Sequence, residues 1–273
     1  MLPQEQNLGR GASTVQGDSW TRWLHEIRTL ELMRTMGHVP LAWDSTALEI
    51  GSGDGLQLDL LRKRFRCVFG IDPENIPKSR GSFAKSEAEA LPFPNRSFDL
   101  VISSNVVEHL ADRQRAMAEV RRVLRAGGYS AHIVPTRTWK LTSLALNPLG
   151  YPLRVAEKWL AHRRLRSAGS KADHVEDISL PDPGLLKVAQ RWVLPPIHGT
   201  FSSHASEFRS FGRTEWTRTF ALDGFKFIAE VPLLFYTQFG FFRSHFVPMR
   251  ISLAHLGLAS SRAFIYQMAA PPQ

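Results

Sequence analysis

The spacing of apolar residues changes along the chain, and each spacing predicts a different element. Residues 19–36 carry apolar side chains at helical intervals, which predicts an N-terminal helix. Short apolar runs such as FDLVIS at 98–103 are typical of strands covered on both faces. The predicted strands are 47–50, 67–71, 81–84, 98–103 and 129–134, with helices at 56–65 and at 113–124, the latter ended by Gly127-Gly128. This alternation predicts an open parallel sheet with helices on both faces.

The alternation breaks after Pro135. Residues 136–212 contain six prolines and one predicted basic helix at 153–168, which indicates an insertion. A helix at 214–222 and strands at 225–231 and 263–268 follow. We therefore predict a Rossmann-like α/β sheet of seven strands with an insertion before the last helix and strand pair. Its predicted parts are an N-terminal tail and helix (1–44), a core (45–135), the insertion (136–212) and a C-terminal completion of the sheet (213–273).

Composition limits the class of protein. Hydrophobic residues make up 43% and charged residues 22% of the 273 positions, as in soluble globular proteins. The single cysteine, Cys67, excludes a disulfide framework, and its apolar surroundings predict a small core residue. The first residues lack the apolar segment of a signal peptide and no run is long enough to span a membrane, so we expect a cytoplasmic protein.

The run LEIGSGDGL at 48–56 carries the clearest candidate chemistry. Gly51, Gly53 and Gly55 follow the first predicted strand and precede a helix, a place where a bare backbone lets a ligand approach the helix N-terminus. Glu49 stands just before them, and an acid there suits a cationic or hydroxyl-rich ligand better than a pyrophosphate. Asp72 ends the second predicted strand, where an acid can accept hydrogen bonds from both ribose hydroxyls.

Three further runs complete a recognisable series: EAEALPFPNRSFDLVI at 87–102, SSNVVEHL at 103–110 and EVRRVLRAGG at 119–128. Together with the glycine loop they resemble the class I S-adenosylmethionine-dependent methyltransferases, in particular the subgroup called methyltransferase type 11. The resemblance covers residues 45–135. Two positions differ from the family pattern. Ala126 stands where a proline is common before Gly-Gly, and Glu87 stands where an aspartate is usual. The longer side chain of Glu87 can still reach the same atom. The resemblance implies that 45–135 is the S-adenosylmethionine-binding core.

The resemblance also implies roles for individual residues. The Gly51-Ser52-Gly53 backbone would run along the methionine part of the cofactor, and Glu49 would support that loop or bind the amino group. Asp72 would hold the ribose and Glu87 the adenine amino group, with the Ala88 backbone at the ring edge. The floor near the sulfonium would consist of Ser104, Asn105 and Val106, and Gly55 and Pro73 complete the predicted cofactor-binding set.

Three histidines are the catalytic candidates. An oxygen acceptor loses a proton on methylation, which favours a nearby general base. His109 follows the fourth predicted strand and is expected to face the acceptor. His198 and His204 lie in the insertion, in PPIHGTFSSHASEF, and a surface loop with solvated histidines is the alternative. The spacing of these histidines and Glu207 matches no metal pattern, so no metal site is predicted.

The acceptor is the least determined part of the prediction. Residues beyond 135 are faintly similar to methyltransferases that modify sugars of bacterial glycans or glycolipids, so we expect O-methylation of a sugar, glycolipid or related small-molecule hydroxyl. The net charge of +9 lies mostly in the second half, and the basic segment 151–171 suggests peripheral contact with an anionic membrane, at its inner face. The alternatives are an RNA methyltransferase, for which no RNA-binding module is recognisable, and a non-catalytic binding subunit.

Overall fold

The computed structural model describes residues 19–74, 82–167, 192–237 and 246–269. Its centre is a seven-stranded sheet with the order β3-β2-β1-β4-β5-β7-β6. The strands are β1 Thr46–Ile50, β2 Cys67–Asp72, β3 Ser82–Lys85, β4 Phe98–Ser104, β5 Leu124–Pro135, β6 Phe225–Pro232 and β7 Ser261–Met268. The predicted Rossmann-like fold class is confirmed.

The sheet is mixed, so the expectation of a parallel sheet is correct only for its first five strands. Strands β1 to β5 pair in parallel, while β7 runs antiparallel to both β5 and β6. The strand order reverses between β1 and β4. In open α/β sheets, ligands bind beyond the carboxyl ends of the strands at this switch point. A ligand site is therefore expected at the carboxyl ends of β1 and β4.

The helices are α1 Ser19–Met36, α2 Leu56–Arg62, α3 Arg113–Val123, α4 Arg137–Ser167, α5 His204–Ser210, α6 Arg213–Phe220 and α7 Val247–Leu253, with a 3₁₀ turn at Val107–His109. The predicted helix start at 153 is wrong, because α4 begins at Arg137 and continues through Pro148 and Pro152. Its buried positions include Lys140, Ser143 and Asn147. A buried helix face made of polar residues gives no apolar period, so the spacing of apolar residues did not indicate it.

The structure corrects two further expectations. Helix α3 ends at Val123 without help from Gly127-Gly128, which lie inside β5 where its register against β4 shifts. Gly127 has a positive φ of 79°, which suits a glycine in such a bulge. Cys67 is exposed rather than buried, because it is the first residue of β2 and lies outside the packed part of the strand.

Alternate residues of each central strand pack on opposite faces of the sheet. On β4, Val101 belongs to the cluster that includes α3 and α6, while Leu100 and Ile102 join the cluster that includes α2. Helix α6 is held by its Trp216, which is buried and donates its indole N–H to the Pro135 carbonyl at 2.9 Å. Burying each large apolar side chain stabilises the fold by about 1.5–3 kcal/mol. The sheet is therefore covered on both faces and fixes the positions of its strand ends.

His132 on β5 is a buried histidine with a structural environment. Its two ring nitrogens each lie 2.7 Å from a serine hydroxyl, those of Ser103 and Ser130, and its ring stacks on Phe220. Burial lowers the pKa of His132 to about 3, so the ring is neutral at physiological pH. We assign it to the core and not to the site.

Candidate active site

The glycine loop lies at the carboxyl end of β1 and leads into α2. Its three glycines all have positive φ, of 73° at Gly51, 51° at Gly53 and 89° at Gly55. The N–H groups of Gly51 and Ser52 donate to the Ile71 carbonyl at 2.8 and 3.0 Å. The loop is thereby tied to β2, and its conformation is one that residues with a side chain rarely adopt.

Gly51 and Gly53 have different surroundings. A Cβ atom at Gly51 would lie 2.3 Å from Cγ2 of Val106, so this glycine lets the loop pack against the residues that follow β4. A Cβ atom at Gly53 would meet nothing within 4 Å. The loop is thus closed on the side of Val106 and open at Gly53, which leaves room for a ligand against bare backbone.

Two acids flank the open side of the loop. Asp72 is buried, and its Oδ2 accepts a hydrogen bond from the Gly53 N–H at 3.0 Å. Glu49 is buried as well, and its Oε2 has no hydrogen-bond partner among the described residues. Burial, followed by the fields of Asp54 and Asp72, raises the pKa of Glu49 well above its ordinary value. An unpartnered buried carboxyl of this kind is suited to a ligand that donates hydrogen bonds.

The remaining predicted cofactor residues lie along the same edge. Asn105 has a positive φ of 55°, and its N–H donates to the Ile133 carbonyl at 2.8 Å, which sets the direction of the chain after Ser104. Ser86 donates its N–H to the Asp72 carbonyl, so Glu87 and Ala88 follow β3 beside Asp72. Ala88 is buried, and Glu87 and Pro73 are exposed.

Two of the three catalytic candidates meet next to this edge. His109 ends the 3₁₀ turn after β4, and its ring lies edge-on to that of His198, with centroids 4.6 Å apart. Burial lowers the pKa of His109, with Glu108 opposing the shift. Trp139 of α4 packs against His198 with a centroid distance of 5.1 Å. The segment around His198 therefore brings a second histidine to the turn after β4.

Glu108 is the member of this group that the sequence did not single out. Its side chain is fully buried, and neither carboxylate oxygen has a hydrogen-bond partner within the described ranges. The ring nitrogen Nε2 of His198 lies 3.6 Å from Glu108 Oε1. Its position directly before His109 at the end of a strand was the only signal in the sequence that pointed to it.

His204 has different neighbours from the other two histidines. Its Nδ1 lies 2.8 Å from Nζ of Lys140, which also forms a buried ion pair with Glu207. Burial and the charge of Lys140 lower the pKa of His204, which favours its neutral form. The described contacts of His204 therefore belong to a buried ion pair between α4 and α5, and not to the His109–His198 pair.

Helix α1 packs against the glycine loop, and the sequence did not predict this contact. His25 Nε2 lies 2.7 Å from Oδ2 of Asp54, within the loop. Gln57 of α2 donates its side-chain amide to the Arg28 carbonyl of α1 at 3.5 Å. Residues assigned to a tail and helix are thus part of the wall of the site.

Comparison with known proteins identifies the core. Residues 48–131 match the family described as "Methyltransferase domain". These residues form a methyltransferase domain. The cofactor of this domain is S-adenosylmethionine, and the open Gly53 backbone and the unpartnered Glu49 oxygen fit such a ligand.

Curated relatives match between a third and two fifths of the chain. A Mycolicibacterium smegmatis protein named "Probable S-adenosylmethionine-dependent methyltransferase" is 33% identical over 33% of this chain and 38% of its own length. A "Ubiquinone biosynthesis O-methyltransferase" of Bartonella quintana is 30% identical over 39% of this chain and 48% of its own. The chain spans less than half the length of these curated relatives.

A solved structure extends the likeness of the fold beyond the core. The S-adenosylmethionine-dependent methyltransferase of Mesorhizobium loti superposes with a TM-score of 0.51 at 12% identity, covering 87% of this chain and 97% of the other. At this identity the likeness concerns the fold alone. Reaction and acceptor must be argued from the site.

Proposed function

We propose that this chain transfers a methyl group from S-adenosylmethionine to a hydroxyl of a sugar, a glycolipid or a related small molecule. The observation that carries the proposal is the open backbone at Gly53 next to the buried Asp72, together with His109 on the turn after β4 and the His198 ring packed against it. The first part fits the cofactor, and the second provides polar groups where an acceptor would lie.

The cofactor supplies a methyl group on a sulfonium, which is intrinsically reactive. The chain therefore has to orient the acceptor and exclude water, and alignment accounts for much of the rate. Asp72 would hold the ribose, and the turn formed by Ser104, Asn105 and Val106 would define the floor near the reacting carbon. His109, whose lowered pKa favours a neutral ring, is the proposed general base for the acceptor proton.

Replacement of Asp72 by alanine tests the cofactor assignment. We expect the affinity for S-adenosylhomocysteine to fall by about 1–3 kcal/mol, because the ribose hydroxyls lose a charged acceptor. The Gly53 N–H also loses its partner, which loosens the loop. Isothermal titration calorimetry measures the effect. Asp44→Ala, at an exposed acid outside the site, is the control; equal affinities of the two folded variants would contradict the ribose role.

The acceptor itself is sought with labelled cofactor. Purified protein is incubated with methyl-labelled S-adenosylmethionine and, in separate reactions, with free sugars, glycolipid extracts, small phenols and RNA. Transfer to a hydroxyl compound supports the proposal. Label found only in RNA would favour the RNA methyltransferase, and cofactor binding without transfer to any acceptor would favour the non-catalytic subunit.

We also propose that the end of α4 contacts an anionic membrane surface. No helix among the described residues has both the length and the apolar character of a membrane span, so such contact would be peripheral. Leu149, Val155 and Trp159 of α4 are exposed, and the segment 151–171 has six basic residues against one acid. Its last four residues lie outside the described ranges. Exposed apolar area next to basic residues is typical of interfacial helices.

Charge reversal of Arg163, Arg164 and Arg166 to glutamate is expected to remove most binding to anionic vesicles. Each basic residue near such a surface contributes roughly 1 kcal/mol at modest salt. Flotation with anionic and neutral liposomes at low and high salt measures it. The matched control reverses three exposed basic residues elsewhere, Lys63, Arg66 and Arg121. Failure of the unmodified protein to float with anionic vesicles at low salt would exclude the membrane contact.

A further inference from the structure

The cluster of Glu108, His109 and His198 has the composition and spacing of a metal site. Each residue offers one ligand atom, and these atoms all lie within 4.8 Å of one another. Ligands about 2.0–2.2 Å from a tetrahedral zinc ion are about 3.4 Å apart, so modest side-chain rotation would close the cluster around one ion. We propose that these three residues bind a single divalent transition-metal ion, with Zn²⁺ as the ion that best suits them.

The strongest reason is the unpartnered carboxylate. Glu108 is fully buried, and both of its oxygens lack hydrogen-bond partners in the described part of the chain. A buried carboxylate without a partner is costly, and such groups are normally paired or coordinated to a metal. A cation between Glu108 and the two imidazoles would satisfy the carboxylate and use the ring nitrogens at the same time.

The cationic side chains around the cluster are engaged elsewhere. Arg113 donates to the carbonyl oxygens of Val107 and Glu108 and to the Ser210 hydroxyl, not to the Glu108 carboxylate. Arg28 pairs with Glu31 at 2.9 Å, and Lys140 pairs with Glu207. His198, at 3.6 Å, is beyond hydrogen-bonding distance of Glu108. No described side chain therefore hydrogen-bonds to this carboxylate.

The backbone holds the two segments of the cluster together. Thr200 donates its N–H to the Glu108 carbonyl at 3.4 Å. Gly199 has a φ of 81°, and a Cβ atom there would lie 2.4 Å from that same carbonyl oxygen, so only glycine permits this approach. Trp139 packs against the His198 ring. The 198–200 loop is thus fixed against the turn after β4, and the ligands are brought together before any ion binds.

The ligand set favours a zinc-like ion with open coordination positions. Imidazole suits Zn²⁺ and other late transition metals, whereas Mg²⁺ and Ca²⁺ prefer oxygen ligands alone. Two histidines and one carboxylate leave a position for water or substrate, as in catalytic zinc sites. The sequence did not predict this site, because Glu108 and His109 are adjacent whereas His198 lies far along the chain, and this spacing matches no metal-binding motif.

The site would have a direct use in the reaction, and this part of the inference rests on the proposed function. An acceptor hydroxyl bound to the ion loses its proton more readily, because the cation stabilises the alkoxide. In this arrangement the ion replaces His109 as the group that activates the hydroxyl, because His109 is then a ligand, and the proton passes to water. The acceptor oxygen then bonds to the methyl carbon while the carbon–sulfur bond breaks and its electron pair stays on sulfur.

Zinc binding is tested without the cofactor, so failure of the metal site and failure of methyl transfer are distinguishable. Tag-free full-length protein is stripped with a chelator and titrated with Zn²⁺ against a chromophoric chelator. We expect one ion per chain. Glu108→Gln and His198→Ala should each lower the affinity at least about 100-fold, since even indirect supporting residues cost 10–100-fold. Replacement of Zn²⁺ by Co²⁺ should give the visible absorption bands of a low-symmetry metal site. Neither the Glu108→Gln nor the His198→Ala variant should show these bands.

His204→Ala is the matched control, because His204 contacts Lys140 and not the cluster. It should keep stoichiometric Zn²⁺ binding. Retained binding of S-adenosylhomocysteine shows that each variant is folded. The proposal is overturned if the unmodified chain binds no stoichiometric Zn²⁺, if Glu108→Gln and His198→Ala bind it as tightly as the unmodified chain, or if His204→Ala loses it equally.

Discussion

Replacement of Gly53 by valine is expected to abolish binding of S-adenosylhomocysteine while the fold remains intact. Two effects act together. The valine side chain would enter the open space beside the loop, where the cofactor would meet the backbone. A β-branched residue is also disfavoured at the φ of 51° that Gly53 adopts, so the loop would shift away from Asp72. Calorimetric titration measures binding, and circular dichroism with thermal unfolding measures the fold.

Gly127 provides a matched control for this substitution. It also has a positive φ, of 79°, and a Cβ atom there would likewise meet nothing within 4 Å. It lies in the bulge of β5 rather than in the glycine loop. Gly127→Val should therefore cost similar backbone strain, of order 1–3 kcal/mol, and leave cofactor affinity unchanged. If Gly53→Val binds as Gly127→Val does, the loop is structural and the cofactor lies elsewhere.

The parts of the site that are local in sequence were predictable. Gly51, Gly53 and Asp72 were predicted as site residues because glycines after a strand and an acid at the end of the next strand are constrained by local backbone geometry. Parallel strands then carry these residues to one edge whatever the details of packing. The structure adds what the spacing could not give: Gly51 makes room for Val106, whereas a Cβ atom at Gly53 would meet no neighbour.

The parts that depend on long-range packing were not predictable. The contact of His198 with His109 and Glu108 joins two segments that are far apart in the sequence, and no local period encodes it. Helix α4 was predicted too short because its buried face carries Lys140 and Asn147, which resemble surface residues until a partner is known. The antiparallel direction of β7 was not predicted, because a short apolar run does not encode the direction of its strand.

The buried ion pair of Lys140 and Glu207 leads to the second large prediction. Both side chains are almost completely buried, and 66 residues lie between them along the chain. Glu207→Ala should lower the free energy of unfolding by about 3–5 kcal/mol, because it leaves an uncompensated ammonium in the interior between α4 and α5. Denaturant unfolding followed by circular dichroism measures the loss.

A double variant separates charge from packing. Lys140→Met combined with Glu207→Leu removes both charges and keeps similar volume, so it should recover most of the stability that Glu207→Ala loses. If the double variant is as unstable as the single one, lost packing and not the unpaired charge explains the effect.

The double variant also tests the role of His204, because Lys140 donates a hydrogen bond to Nδ1 of His204. A double variant that is stable and still transfers methyl groups would show that this hydrogen bond is dispensable for catalysis. Loss of transfer with intact stability and cofactor binding would instead support the predicted catalytic role of His204, oriented by Lys140.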